Sequence, residues 1–533
     1  MTLEIVSSGN RKHAVECSFS LFGCASINVQ LTSLNAKSNA VTRTKLPAMT
    51  VERIGLISSS LTTLVSFSAL LCGHFLGVPP VANQLKKKTK DMSTKIGVVS
   101  LGCDKNRVDT EVMLENLVEG GYEITADPAD ADVIIVNTCA FLESSRKESI
   151  DTVLEMAGYK TEGNCKKVII TGCLGQKFGQ EVFDGLTEAD AVVGTDNYGN
   201  ICDIVAETLG GKRNLYVACN RGITFGKRVL TTAPHVAYLK IADGCDNYCT
   251  YCLIPYIRGH FRSVPIEKIV EHAKQLVDGG VRELILVAQD TTKYGKDLYG
   301  KPAIVELLRK LSEIENLSWI RLLYCYPELM TDELIDEIAT NDKIVNYADI
   351  PLQHVDNGIL RRMNRKSNYE QLTALFDKLS AKNIAVRSTF ICGFPGETDE
   401  TVQEIADFLT RYKLRNVGFF AYSREEGTKA YDMPDQVPQR KKNAYVKCMY
   451  KVQQGVVKQL AEGDIGKTYK CIIDNVDELT RDGKYCYVGR TYFMAPEIDG
   501  LCYISSDKPL EIGKVYDAVI VGANGYDLVA EVR

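Results

Sequence analysis

The chain has 533 residues, 45% of them hydrophobic and 25% charged, an ordinary globular composition with room for about three domains. Its net charge of −5 gives no general attraction to polyanions, so DNA or tRNA would need a local basic patch. Eighteen cysteines scattered over this length exclude a disulfide scaffold and fit reduced cytoplasmic thiols and metal ligands.

Residues 1–91 read differently from the rest. Ile54 to Leu85 carries no Asp, Glu, Lys or Arg and is long enough to cross a bilayer. Serine, threonine, "CGH" and Pro79-Pro80 dilute that run, and "KKKTKDM" follows it. The preferred reading is a start-site artefact, with translation beginning at Met92. The alternative is a membrane anchor or targeting segment whose positive flank faces the cytoplasm.

From Lys95, Val- and Ile-rich runs alternate with amphipathic stretches, the pattern of parallel α/β units. An open α/β domain is expected over 95–210. Three of its strands, "IGVVSLGC", "VIIVNTC" and "KVIITGC", end on Cys103, Cys139 and Cys173. Ligands bind beyond the carboxyl ends of such strands, so adjacent strands would gather these thiols. A buried free cysteine usually packs as a small hydrophobe. Three at the same end of successive strands, two of them in T-C or T-x-C turns whose amides support sulfur, point instead to a metal cluster. Lys105 and Asn106, just after Cys103, are candidates to orient that cluster or read the substrate. Cys165, Cys202 and Cys219 lack the strand-end placement and read as structural.

A second series occupies 234–460. "HVAYLKIA", "ELILVAQD", "WIRLLYCYP", "YADIPLQH", "VRSTFICGFPG" and "NVGFFAYS" are six strands separated by helical stretches, which predicts a partial (βα)6 barrel with its active site at the carboxyl mouth. Directly after the first strand, "DGCDNYCTYCLIPYIRG" holds Cys245, Cys249 and Cys252 at C-x3-C-x2-C spacing. A structural zinc site wants four ligands. Three thiolates can instead hold three irons of a 4Fe-4S cluster and leave the fourth iron open to a cofactor. Cys325 and Cys392 read as core.

Residues 464–533 change character again, to short strands with Gly and Asp turns, as in a small all-β barrel. The segment has 12 acidic against 8 basic residues, which makes it a poor phosphate binder.

C-x3-C-x-aromatic-C, with Tyr251 in the aromatic slot, resembles the signature of radical S-adenosylmethionine (SAM) enzymes. The whole arrangement from Lys95 onward resembles the methylthiotransferases, whose last domain is the TRAM barrel. "SLGCDKNRVDTE", "VIIVNTCAF", "VIITGCLGQ", "LVAQDTTKYG", "DIPLQHVDNGILRRMNR" and "RSTFICGFPGET" are most similar to the RimO type of that family. "GRTYFMAPEIDG" is also similar but departs at Met494, where relatives commonly carry aspartate at an expected substrate contact.

The resemblance implies two 4Fe-4S clusters, one on Cys245, Cys249 and Cys252 and an auxiliary one on Cys103, Cys139 and Cys173. It implies that SAM yields a 5'-deoxyadenosyl radical that takes a β-hydrogen from an aspartate of small-subunit ribosomal protein twelve, which then receives a methylthio group from the auxiliary site. A low-potential donor such as flavodoxin or ferredoxin is implied too. Tyr251, Gln353, Arg387 and Gly393 are the expected SAM contacts, with Arg387 as a donor fork for its carboxylate. Gln353 and His354 are also candidates for the ribose or the substrate carboxylate. An acidic TRAM barrel suits a basic ribosomal protein better than tRNA. The alternatives are tRNA isopentenyladenosine methylthiolation by the same chemistry and a non-catalytic metal module on the ribosome.

Overall fold

The computed structural model describes residues 94–217, 222–477 and 483–533. It also gives the backbone of four short strands, β1 (Thr2–Val6), β2 (Lys12–Cys17), β3 (Val29–Ser33) and β4 (Thr42–Arg43), paired antiparallel in that order. Residues 1–73 form one compact unit and 74–533 another. The apolar run Ile54–Leu85, the start expected at Met92 and Cys219 lie outside the described residues. Among the described residues no helix is long and apolar enough to cross a membrane.

In the second unit, β5 (Lys95–Ser100), β6 (Glu123–Thr125), β7 (Val133–Thr138), β8 (Lys167–Gly172), β9 (Ala191–Val193) and β10 (Asn214–Tyr216) form a parallel sheet ordered β10-β9-β8-β7-β5-β6. Helices α1 (Asp104–Glu119), α2 (Glu143–Glu162), α3 (Cys173–Gly185) and α4 (Ile201–Leu209) make the crossovers. Every residue of β7 is buried, as a parallel sheet covered on both faces requires. The expected cysteine-ended strands β8, β7 and β5 are neighbours. The three-residue strands β6, β9 and β10 escape a sequence reading because so short a run has no measurable period.

The central domain carries β11 (Val236–Lys240), then a two-stranded ribbon of β12 (Ala242–Asp243) and β13 (Arg262–Ser263) with helix α5 (Ile254–Arg258) between its strands. Next come β14 (Glu283–Val287), β15 (Trp319–Leu322), β16 (Ile344–Asp349), β17 (Ala385–Cys392) and β18 (Asn416–Ala421). The parallel sheet runs β11-β14-β15-β16-β17-β18, each strand beside the next in the chain, which is the partial barrel expected. Helices α6 (Ile266–Asp278), α7 (Ile304–Ser312), α8 (Asp332–Thr340), α9 (Tyr369–Ala381) and α10 (Asp399–Tyr412) pack apolar faces such as Ile269, Leu308, Ile338, Phe376 and Ile405 into one core with the sheet. Cys325 and Cys392 are both buried in that core.

Helix α11 (Gln439–Asp464) leads to a closed barrel of β19 (Thr468–Val476), β20 (Tyr485–Thr491), β21 (Cys502–Ser506), β22 (Val515–Asn524) and β23 (Asp527–Val532), ordered β19-β20-β21-β23-β22. The segment between β20 and β21 packs Phe493 and Met494 into one core with Tyr238, Trp319, Val345 and Tyr347 of the central sheet. Met494, where relatives commonly carry aspartate, is therefore a buried docking residue packed against the chain's own sheet.

Ion pairs fasten the same joint. Glu283 accepts from Arg321 Nε at 2.9 Å and Arg490 Nη2 at 2.8 Å, and Arg490 reaches Asp474 at 2.7 and 2.8 Å. His235 meets Asp474 at 2.8 Å. Arg107 of α1 forks Glu497 at 2.8 and 2.7 Å, and Arg415 reaches Asp464 at 2.5 Å. Asp464, Asp474, Glu497 and Asp499 thus point back at the rest of the chain, as does Arg490. Of the acidic excess of four read from the sequence, one charge is left for the remainder of the domain, so charge is a weaker guide to its partner than composition implies.

Candidate active site

The ribbon pins both ends of the C-x3-C-x2-C loop, pairing Ala242 with Ser263 and Asp243 with Arg262. Within it, Cys245 N–H donates to Gly259 O at 3.0 Å, Thr250 N–H to Met363 O at 3.1 Å and Thr250 Oγ1 to Arg362 O at 2.8 Å. Gly244 has φ 81°, and a Cβ there would collide with the His260 carbonyl oxygen and stand 2.7 Å from that of Gly259. The turn demands glycine twice over, for backbone conformation and for space. Gly244→Ala is expected to lower iron bound per chain and cut SAM cleavage more than tenfold. Gly121→Ala, at φ 87° in open space, adds strain of about 1–3 kcal/mol without a collision and is expected to leave both unchanged. Iron assay and 5'-deoxyadenosine release check the contrast.

Cys245 and Cys249 are buried and Cys252 half-buried. Burial pushes the Cys245 thiol up to about 12, with neighbouring Cys249 adding to the rise and the Asn247 N–H opposing it. Burial and Cys249 raise Cys252 further, although Ile254 N–H lies 3.4 Å from its sulfur. Cys249 Sγ and Tyr326 OH are 3.3 Å apart. Cys245 and Cys252, which resist ionisation and are repelled by a Cys249 thiolate, form a consistent donor set with it only around a positive centre, which deprotonates such ligands outright. Among the described residues no three His, Cys, Asp or Glu side chains stand close enough to share a single ion. Three thiolate donors are the ligand set of an iron-sulfur cluster.

The second set forms where β5, β7 and β8 end. Cys103 caps α1 and Cys173 opens α3, so both sulfurs sit at helix amino termini, where the dipole favours negative charge. Gly102 and Gly172, with φ 94° and 98°, let the strands end this close: a Cβ on Gly102 would touch Cys139 Sγ at 3.3 Å, and one on Gly172 would meet Thr138 O at 2.5 Å. Cys139 N–H donates to Ser149 Oγ at 3.1 Å. Burial pushes Cys173 up to about 12 against the lowering pull of Arg258, and Cys103 and Cys139 add to the rise. Burial raises Cys139 too, with Cys103 adding. The same donor logic applies.

The two sets share a wall. Leu253 and Ile257, just after Cys252, pack in one core with Leu101, Val136, Cys173 and Leu174. Beside that wall a cavity of about 740 Å³ opens between Phe141, Leu142, Glu143, Ser144 and Lys147, which follow Cys139, and Tyr251, Gln353, Thr389, Ile391 and Phe420 at the barrel mouth. Arg146 and the Glu143 N–H hold Glu425 at 2.5 and 2.9 Å across the rim.

Tyr251 and Gln353 line the cavity. Gln353 has φ 70° and links Thr389 and Ile391 through backbone hydrogen bonds of 2.8 and 2.9 Å. Arg387 does not line it: Nη1 lies 3.2 Å from Asp349 and Nε 3.4 Å from Asp499, so the guanidinium is committed to a joint with the carboxyl-terminal barrel rather than offered as a carboxylate fork. Gly393, at φ 78°, donates its N–H to Glu397, and a Cβ there would collide with Lys442. That is a packing requirement. His354 is a core histidine, its Nδ1 accepting from Asp356 N–H at 2.9 Å and its Nε2 3.5 Å from Glu397. Lys105 lies 3.1 Å from the centroid of the Tyr324 ring, and Asn106 donates to Leu101 O at 2.7 Å.

Sequence reasoning missed Lys240, Asp109, Asp243 and Arg258, all buried charges between the two cysteine sets. A lysine in the apolar run "HVAYLKIA" was the available signal, because a buried charge must be paired.

Family models match residues 95–194 (uncharacterized protein family UPF0004), 239–409 (radical SAM superfamily) and 465–532 (TRAM domain). With the two cysteine sets at the strand ends, these define a radical SAM enzyme. Ribosomal protein uS12 methylthiotransferase RimO of Clostridium kluyveri is 46% identical over 443 residues, spanning 82% of this chain and 98% of that protein. The enzyme of the same name from Clostridium tetani is 47% identical over 444 residues, with the same shares. The chain belongs to the RimO family of radical SAM methylthiotransferases, enzymes that work with SAM and 4Fe-4S chemistry.

Proposed function

We propose that the chain methylthiolates the β-carbon of an aspartate in small-subunit ribosomal protein uS12, with one 4Fe-4S cluster on Cys245, Cys249 and Cys252 and a second on Cys103, Cys139 and Cys173. The observation that carries this is the cavity bounded on one side by the segment after Cys139 and on the other by Tyr251, between Cys249 and Cys252. It is of a size to hold a cofactor and one substrate side chain. The names of the relatives support the substrate.

SAM, when bound, supplies the radical needed to break a C–H bond that no acid or base in a protein can activate. The chain's own residues bind, orient and exclude water. Tyr251 and Gln353 line the SAM side, while Ile391 and Phe420 give the cavity an apolar floor. Residues 95–210 hold the sulfur-donating site, 234–460 the SAM site and 464–533 the TRAM domain. Reaction in the cytoplasm with an electron from a flavodoxin or ferredoxin completes the reading.

The test expresses the full chain in a host lacking its own RimO, weighs uS12 intact and digests tRNA in parallel. A mass gain on uS12 equal to SCH3 replacing H supports the proposal. A gain on a tRNA adenosine instead overturns the substrate and leaves the chemistry.

A further inference from the structure

Arg258 ends helix α5, which begins two residues after Cys252, yet its guanidinium turns away from that trio. Nη1 donates to Asp109 Oδ2 at 2.6 Å and to Asp243 Oδ2 at 3.2 Å. Nη2 donates to Asn106 Oδ1 at 3.2 Å and lies 3.7 Å from Cys173 Sγ. Lys240 pairs with the same two aspartates. Two carboxylates therefore face two cations, and ion pairing accounts fully for Nη1 and for Lys240.

It does not account for Nη2, whose partners are an amide oxygen and a sulfur. Asn106 follows Cys103 by three residues, so both partners belong to the auxiliary set. A guanidinium gains little from a neutral thiol, but to a thiolate it gives a charge-assisted hydrogen bond, stronger where burial excludes water. Arg258 is only 4% exposed. Hydrogen bonds and charge at the sulfurs set the potential of an iron-sulfur cluster, and outer partners fix ligand orientation.

We propose that Arg258 is a positioning residue of the auxiliary site: its Nη2 bonds the Cys173 thiolate, raises the midpoint potential of the cluster on Cys103, Cys139 and Cys173, and braces that ligand against the loop of the first trio. The inference rests on the two-cluster reading above. A cation beside the sulfur stabilises the more negative reduced cluster, which gives the sign.

The test uses the full chain with Cys245, Cys249 and Cys252 all changed to Ala, so that one cluster reports. EPR-monitored redox titration is run on this background and on R258K, R258Q and R309Q added to it. R258Q is expected to make the midpoint more negative, R258K to shift it less in the same direction, and R309Q, which breaks exposed pairs with Glu333 and Glu337 in the central domain, to leave it unchanged. Arginine labelled with 15N in the guanidinium is expected to show a hyperfine coupling to the reduced cluster that R258K abolishes; if R258Q fails to assemble, the label and R258K decide. An unchanged midpoint in R258K with no nitrogen coupling overturns the inference alone. A background protein that takes up no iron overturns the two-cluster reading, and this inference with it.

Discussion

Cys249→Ala is expected to abolish both SAM cleavage and methylthiolation, whereas Cys139→Ala abolishes only the second. Cys249 is the middle ligand of the first trio, and its charge acts on both Cys245 and Cys252. Its loss relieves that repulsion but leaves only Cys245 and Cys252, one thiolate too few to hold three irons. The cluster is then expected to be lost, with a fall in 5'-deoxyadenosine release larger than the roughly 10–100-fold that removing an outer-shell partner costs. Cys139 stands at the end of β7, in a different domain, and touches none of the first trio's hydrogen bonds. Iron in Cys139→Ala should fall by about half while dithionite-driven SAM cleavage persists. A variant that still methylthiolates would make the second trio structural. One that loses SAM cleavage as well would show that the two sites do not fold separately.

The cysteine sets were legible because each depends on local features: a fixed spacing in a loop, or a cysteine where a Val/Ile run stops. The six long strands of the central sheet were legible for the same reason. The carboxyl-terminal joint was not. Arg387, Met494 and the acidic residues of the last barrel meet residues more than a hundred positions away, and no periodicity carries that information. A weaker signal did exist. Glu283, Arg321 and Lys240 interrupt otherwise apolar strands, and such charges must find partners of opposite sign in another element. Counting charges over 464–533 treated Asp474, Glu497 and Asp499 as surface, and their positions show why composition overstated the acidity offered to a partner.

Glu283→Gln is expected to be the most destabilising single change at that joint. Glu283 is fully buried between Arg321 and Arg490, themselves almost completely buried. Burial disfavours its charge most, yet the two arginines together hold the carboxyl below its ordinary value. Glutamine keeps the shape and removes the anion. Arg490 retains Asp474, but Arg321 is left with the Tyr492 carbonyl at 2.7 Å and the Tyr347 ring 4.7 Å away, neither of which carries the compensating charge. Breaking a buried pair this way costs about 3–5 kcal/mol, or roughly two to four decades in hydrogen exchange over Arg490–Asp499 at 1.4 kcal/mol per decade.

The sign of the pH dependence follows. A carboxyl depressed in the folded state stabilises above its unfolded value of about 4.3 and loses that contribution as pH falls toward the folded value. The parent joint should therefore loosen on acidification more steeply than that of Glu283→Gln, with Asp474, also depressed by His235 and Arg490, supplying the slope that remains. Because the penalty comes from the stranded Arg321 rather than from the bond itself, Glu283→Gln combined with Arg321→Met should recover much of the loss. A double variant no better than the single one would mean that the Arg490 contact, not the stranded charge, holds the barrels together.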